Sequence, residues 1–396
     1  MGSGFVWINI RPAHREAPAT GGQSGSDPVA ASEKEHPLHE PTVPLSPAVP
    51  KPGSGCHTVT VKWLVGGLLA TALLAGCSAV DGAPRPAPDD PAVFFDGPAA
   101  SYGQQVSSSD RIRLTYLRAL RRIDVCGFTD RAALARIGEI QSLGSLFALN
   151  QCDVEIKMPG RAAPSYLSAA LELIAPEGPG VLSVAGLPVS EAYDGACEYL
   201  IPIDLAALPG AGPLFGPEQP HLRVSMVAAP DCATVRRVVS VLAARVADGP
   251  LPVRDGAATY TTSLAERDPC EILAALPAGD VGYWNVPGTG PYRCEFGMVR
   301  DSGDGAVDMA LSLRPRLVDA VEGRERTGDD VYLDRRSCSA LVFVGPQLQR
   351  RVGNGALVDT RDISIRQSVE VTGGGAPCTE NPLVTSVTQQ AAELFG

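Results

Sequence analysis

The sequence predicts an α+β fold in two tandem repeats. Each repeat is an antiparallel sheet packed against flanking helices, and both follow a disordered N-terminus and a short apolar helix. Three observations carry this expectation. First, the cysteines beyond residue 108 fall into two sets, Cys126, Cys152, Cys197 and Cys232, then Cys270, Cys294, Cys338 and Cys378. The gaps are 26, 45 and 35 residues in one set and 24, 44 and 40 in the other. Second, apolar and polar residues alternate after the second cysteine of each set, in Cys152-Asp153-Val154-Glu155-Ile156 and in Cys294-Glu295-Phe296-Gly297-Met298. Period two marks a half-buried strand with the cysteine on its apolar face. Third, an apolar stripe of helical spacing follows each fourth cysteine, through Val235, Val238, Val239, Leu242 and Val246, and through Val384, Val387, Ala391 and Leu394.

In chain order, residues 1–58 read as disorder. Pro, Gly, Ser, Ala and Glu dominate from Pro12 to Gly55 without a hydrophobic period. The charges there nearly cancel, which suits a signal n-region poorly. Translation is therefore expected to begin at Val59 or Val61, leaving Lys62 as the basic flank. Cys56 and His57 receive no role. Residues 59–77 form an export signal: a basic residue, a charge-free stretch from Trp63 to Val80, then small residues at a cut site. A buried core helix and an uncleaved membrane anchor are the other readings of this run, which is somewhat short for a span.

Residues 78–108, rich in Pro, Ala, Asp and Ser, read as a flexible tether, with Phe94 and Phe95 free to dock on a domain or a membrane. The first repeat takes residues 109–248. It opens with an added helix whose Leu114, Leu117 and Leu120 share a stripe after Ser109-Asp110. Asp124 and Asp268 stand two residues before the first cysteine of their sets and are expected helix N-caps, with Pro269 in the first helical position. Further strands are expected at residues 168–174, 197–203 and 222–227, matched by 307–313, 338–344 and 363–371. The Gly- and Pro-bearing segment from Asp248 to Ala257 links the repeats. The second repeat takes residues 258–396.

Two resemblances bear on place and chemistry. Leu74-Ala75-Gly76-Cys77 resembles the lipobox of bacterial lipoproteins, with Leu74 in the apolar position and Ala75 and Gly76 in the small ones. That resemblance implies that Cys77 is acylated and becomes the first mature residue. Together with Asp268-Pro269-Cys270 and the strand begun by Cys294, the lipobox also resembles actinobacterial cell-surface lipoproteins. Those proteins carry a small cysteine-paired domain that has no established activity. The first repeat departs from the pattern, with Val125 where the proline stands. The resemblance implies a location on the extracellular face of the cytoplasmic membrane, with the membrane itself a partner through the lipid.

Export places the eight cysteines in an oxidising setting. Duplication suggests that each repeat closes on itself, first with second and third with fourth: Cys126–Cys152, Cys197–Cys232, Cys270–Cys294 and Cys338–Cys378. Each bridge would staple a helix start to a strand. Zinc is disfavoured because no cysteine pair has Cys-x-x-Cys spacing.

Composition narrows function mainly by exclusion. The net charge is −11, and Lys157 is the lone lysine after Cys77. An acidic surface without a basic stretch argues against nucleic acid and against anionic headgroups. His221 is the single mature histidine, so a Ser-His-Asp or Cys-His device has little to draw on. It begins an alternating stretch and is expected to be an exposed strand residue. Gly288-Thr289-Gly290 lacks the Lys-Ser/Thr of a phosphate loop and reads as a hairpin turn. Asp301-Ser302-Gly303-Asp304-Gly305 lacks the spacing and closing Glu of a calcium loop and reads as a tight turn. Trp284, Tyr283 and Tyr292 suit core packing or an aromatic lip on a site. Phe147 in the comparable segment of repeat one favours core. The expected function is a lipid-anchored extracellular binding or sensing module without catalysis, cofactor or metal, taking a small ligand or an envelope protein. A structural subunit of an envelope complex is the second reading and a secreted hydrolase the third. The boundary between the two repeats is the expected place for a pocket.

Overall fold

The computed structural model describes residues 91–396, apart from 177–179, 194, 196, 255–259, 300–304, 348, 353–356, 360–364 and 375–381. The lipobox residues Leu74, Ala75, Gly76 and Cys77 lie outside the described residues, as do Cys378 and most of the Asp301–Gly305 turn.

The first repeat contains α1 (Ser108–Arg122), α2 (Arg131–Leu134) and seven strands. These are β1 (Glu139–Gly144), β2 (Gln151–Lys157), β3 (Ser165–Ile174), β4 (Gly180–Val184), β5 (Leu187–Glu191), β6 (Tyr199–Pro202) and β7 (Gln219–Val227). Helix α3 (Cys232–Asp248) closes it. The second contains α4 (Ile272–Ala275), β8 (Val281–Trp284), β9 (Arg293–Val299), β10 (Ala306–Leu317), β11 (Glu325–Gly328), β12 (Val331–Asp334) and β13 (Ser339–Gln347). A hairpin β14 (Gln349–Val352) and β15 (Leu357–Asp359) follows, then β16 (Ile365–Gly373) and α5 (Leu383–Phe395).

The two sheets run β1-β2-β3-β7-β6-β5-β4 and β8-β9-β10-β16-β13-β12-β11, the same order in each repeat, with every pairing antiparallel. This shared order is the duplication seen in three dimensions. Helices α3 and α5 lay their apolar stripes on equivalent faces, burying Val235, Val238, Val239 and Leu242 in one core and Val384, Val387 and Ala391 in the other. The fold is α+β with two similar sheet domains. The β4–β5 turn uses Ala185 (φ 49°) and Gly186 (φ 83°). Left-handed backbone at both central residues matches the twist of the flanking strands.

Disulfides join Cys126 to Cys152 and Cys270 to Cys294, with Cα atoms 5.0 and 5.1 Å apart. A third joins Cys197, just ahead of β6, to Cys232 at the start of α3, with Cα atoms 5.2 Å apart. Cys338, just ahead of β13, is also disulfide-bonded. The expected caps are present: the Asp124 and Asp268 carboxylates accept from the Cys126 and Cys270 amides at 3.1 and 3.0 Å. Glu271 completes a capping box on Asp268.

Several expectations are corrected. Each first cysteine opens a single 3₁₀ turn and a one-turn helix instead of a longer helix. In repeat two the stop is local: Leu276 precedes Pro277 and takes extended backbone (ψ 149°), because the proline ring disfavours helix before it. Helix α5 begins at Leu383, beyond Cys378. The expected tether 78–108 is folded from Pro91 onward. Phe94 and Phe95 are buried in the first core, with Phe95 edge-on to Tyr116 at 5.2 Å. Burying a Phe side chain stabilises by about 1.5–3 kcal/mol, enough to hold so short a segment. The inter-repeat segment is likewise docked, with Val253 bridging Ile123 and the Asp124 amide donating to Pro252 O at 2.9 Å.

The repeats also share structure that their sequences do not announce. Strand β14 of the second repeat pairs antiparallel with β1 of the first, through Ser142↔Val352 and Leu143↔Arg351. The β14–β15 hairpin thereby covers what would be an open sheet edge. Leu149, from the first repeat, packs in the second core, and Val286, from the second, packs in the first.

Candidate functional site

Among the described residues helix α1 has no counterpart in the second repeat, and its charged face joins the two. Arg121 is almost fully buried. It pairs with the Asp268 carboxylate and donates to Pro291 O at 3.1 Å. Arg254 donates to the carbonyls of Arg121 (3.0 Å) and Leu149 (3.1 Å). Tyr292 is buried, and its hydroxyl donates to Ala265 O at 2.7 Å. About two turns earlier on α1, Arg113 donates to the carbonyls of Val286 (3.2 Å), Pro287 (3.0 Å) and Thr289 (3.3 Å), and pairs with Glu218.

These contacts hold the loop of Gly288-Thr289-Gly290, which connects the antiparallel strands β8 and β9 as the sequence expects of a hairpin turn. Its side chains lock it further. Thr289 Oγ1 donates to Asn285 O (3.0 Å) and accepts from Trp284 Nε1 (3.2 Å). Trp284 is half-buried against both cores and 6.1 Å from the Tyr102 ring. Tyr283 is exposed, its hydroxyl bonded to Asp308. Of the three aromatics, Tyr292 is core, Trp284 bridges the repeats and Tyr283 faces solvent.

Beneath Arg113 and this loop lies a cleft of about 580 Å³ between the repeats. One wall comes from repeat one: Phe147, Asn150, Gln151, Glu172, Leu173 and Glu218. The other comes from repeat two: the 287–293 loop with Ser312, Leu313 and Arg314. Phe147 is therefore not a core residue. It is 40% exposed, its amide held at 3.2 Å by the Asp153 carboxylate. Leu149, two residues on, takes the buried place instead.

Strand register shows how the walls are related. Cys152 stands opposite Ala169, and Cys294 opposite Leu311, so Glu172 and Arg314 occupy equivalent positions three residues further along. By the same register Arg223, opposite Ala170, is equivalent to Glu370, opposite Ser312. The charges are inverted. In repeat one, Arg223 sits between Glu172 (3.4 Å) and Glu198. In repeat two, Glu370 receives Arg316 at 2.6 Å, Arg314 at 3.5 Å and Arg324 at 3.8 Å. Burial raises the Glu172 carboxyl above its ordinary value, although Arg223 opposes the shift. Burial, with Arg316 beside it, lowers the Arg314 guanidinium, although Glu370 opposes that shift. Among the described residues no ion pair joins Glu172 to Arg314. The cleft thus carries an acidic wall and a basic wall, and its chemistry is recognition of a polar, charged group.

His221 lies outside the cleft lining and is corrected in one respect: it is buried, at 4% exposure. Strand β7 is flanked on both sides, by β3 and β6, and the ring Nδ1 lies 2.9 Å from Gln219 O. Among the described residues no three His, Cys, Asp or Glu side chains gather to hold a metal. Sequence reasoning passed over Glu172, Arg314, Arg223 and Glu370. The signal that finds them is alignment of the repeats on their second cysteines, which sets Glu172 against Arg314. Comparison of the chain with protein families, curated proteins and solved structures finds no match in any of the three.

Proposed function

We propose that the protein is a lipid-anchored binding module on the extracellular face of a bacterial cytoplasmic membrane, taking a small charged ligand in the inter-repeat cleft without catalysis. The observation that carries the binding reading is the cleft itself, with oppositely charged walls set by a loop that Arg113 and Thr289 hold in place. Its two carboxylates are each engaged by an arginine, Glu172 by Arg223 and Glu218 by Arg113, which favours recognition over proton transfer. The anchoring reading rests on Leu74-Ala75-Gly76-Cys77 and is supported by the disulfides, which suit an exported chain.

The test has two arms. Cys77→Ala should release the chain from membranes or leave it as uncleaved precursor, and retention identical to wild type in detergent partition would remove the anchor. Native mass spectrometry of full-length protein, taken gently from its own envelope, should show a bound small molecule. That molecule should be lost from Arg314→Glu. Identical spectra from the two proteins would remove the cleft as the binding site.

A further inference from the structure

Resting on the cleft reading, we propose that the basic wall is a subsite for a dianionic phosphate monoester, seated on Arg314 and supported by Arg316 and Arg324. Three guanidinium groups converge on one carboxylate, Glu370, and with Asp334 acting on Arg324 as well the cluster keeps a net positive charge. The Glu370 side chain is 12% exposed and that of Arg324 16%, against 30% for Arg316 and 36% for Arg314, so water screens the Glu370–Arg324 end of the cluster least.

A carboxylate offers about four lone-pair sites, far fewer than the fifteen or so N–H donors of three guanidinium groups. The shortfall shows in the structure: Arg314 Nε and Arg324 Nη1 are buried without a protein partner. Buried donors of this kind call for a further acceptor, water or an ion. Arg314 is the member that lines the cleft, and Arg316 and Arg324 are joined to it through Glu370. Planar, forked donors suit phosphate oxygens, and a phosphate monoester near neutral pH carries close to two negative charges, complementing a net positive cluster. The equivalent place in repeat one carries Glu172 and repels such a group, which fixes the orientation of the ligand in the cleft.

Calorimetric titration of the full chain in detergent, at constant ionic strength, tests this with glycerol 3-phosphate as probe. Binding should be saturable, and acetate should bind at least about tenfold more weakly, since it brings half the charge. Arg314→Gln should weaken the phosphate probe about tenfold or more, as expected for loss of a charge-assisted pair. Arg314→Lys, which keeps the charge but not the fork, should fall between, and its fold is checked by circular dichroism. Arg326→Gln, at an exposed position outside the cleft lining, should leave binding unchanged. Vesicles containing phosphatidic acid distinguish a lipid headgroup from a soluble monoester: tighter binding than the soluble probe assigns the headgroup, and equal or weaker binding the soluble compound. No phosphate binding up to about 10 mM, or equal binding of acetate, overturns the subsite. A phosphate-free molecule released from wild type in the native spectra also overturns it, while leaving the cleft reading intact.

Discussion

Asp153→Asn is expected to stabilise the protein at neutral pH, against the usual direction of a core substitution. Asp153 lies on β2 in an alternating stretch, yet it is buried. Its carboxylate accepts from the amides of Leu146 (3.0 Å) and Phe147 (3.2 Å) and from the Gln151 side chain. Burial outweighs these bonds and raises the carboxyl from 3.8 to about 6. In the unfolded chain the group titrates near its ordinary value. Below 3.8 both states hold the proton and the group contributes nothing to the pH dependence. As the pH rises toward 6, the unfolded state ionises first, and stability falls. Above that range the folded state carries a cost of about 3 kcal/mol, from 1.36 kcal/mol for each pH unit of displacement.

Asparagine keeps an oxygen for the two amides and removes the charge. Urea unfolding with the disulfides intact should show Asp153→Asn more stable than wild type by up to about 3 kcal/mol near pH 8, with the gap closing near pH 4. A difference independent of pH would refute the reasoning. So would a variant less stable than wild type near pH 8 alone. Because Asp153 holds the Phe147 amide at the cleft rim, the same variant should leave ligand affinity unchanged if the two amide bonds survive.

Replacing Cys126 and Cys152 together by Ala should cost about 3.5 kcal/mol by the chain-entropy estimate and lower the midpoint of thermal unfolding. Arg121→Met removes the near-buried partner of Asp268 and should destabilise by about 2–4 kcal/mol. Hydrogen exchange should then quicken in residues 285–293, and unchanged exchange there would refute the role of Arg121 as a clamp between repeats. Burial lowers His221 from 6.5, so the unfolded state takes up a proton first as the pH falls and stability declines below that value. His221→Gln should flatten this slope in unfolding curves between about pH 7 and pH 5. Non-reducing peptide mapping should recover Cys338 joined to Cys378.

The features legible in the sequence were local or covalent. Cysteine spacing announced the duplication, because a bridge demands that its two positions recur together. Alternation after Cys152 and Cys294 located β2 and β9, since successive side chains on a strand face opposite ways. The stripes from Val235 and Val384 located α3 and α5, and Asp124 and Asp268 marked helical turns because a short carboxylate can reach the free amides beyond it. The short strands β1, β4, β5, β8, β11 and β12 carry too few residues to establish a period.

What the tertiary structure decided depends on residues far apart in the chain. The pairing of β14 with β1 and the exchange of Leu149 and Val286 between cores have no local signature, because their partners are supplied by the other repeat. Burial overrode pattern at His221 and Asp153, where polar residues in alternating stretches are covered by neighbours no periodicity records. Phe147 went the other way: it lines the cleft, and Leu149 holds the buried place in the second core. The opposed charges of Glu172 and Arg314 lie in the sequence, but their place on facing walls of one cleft exists because α1, through Arg121 and Arg113, holds the two repeats together.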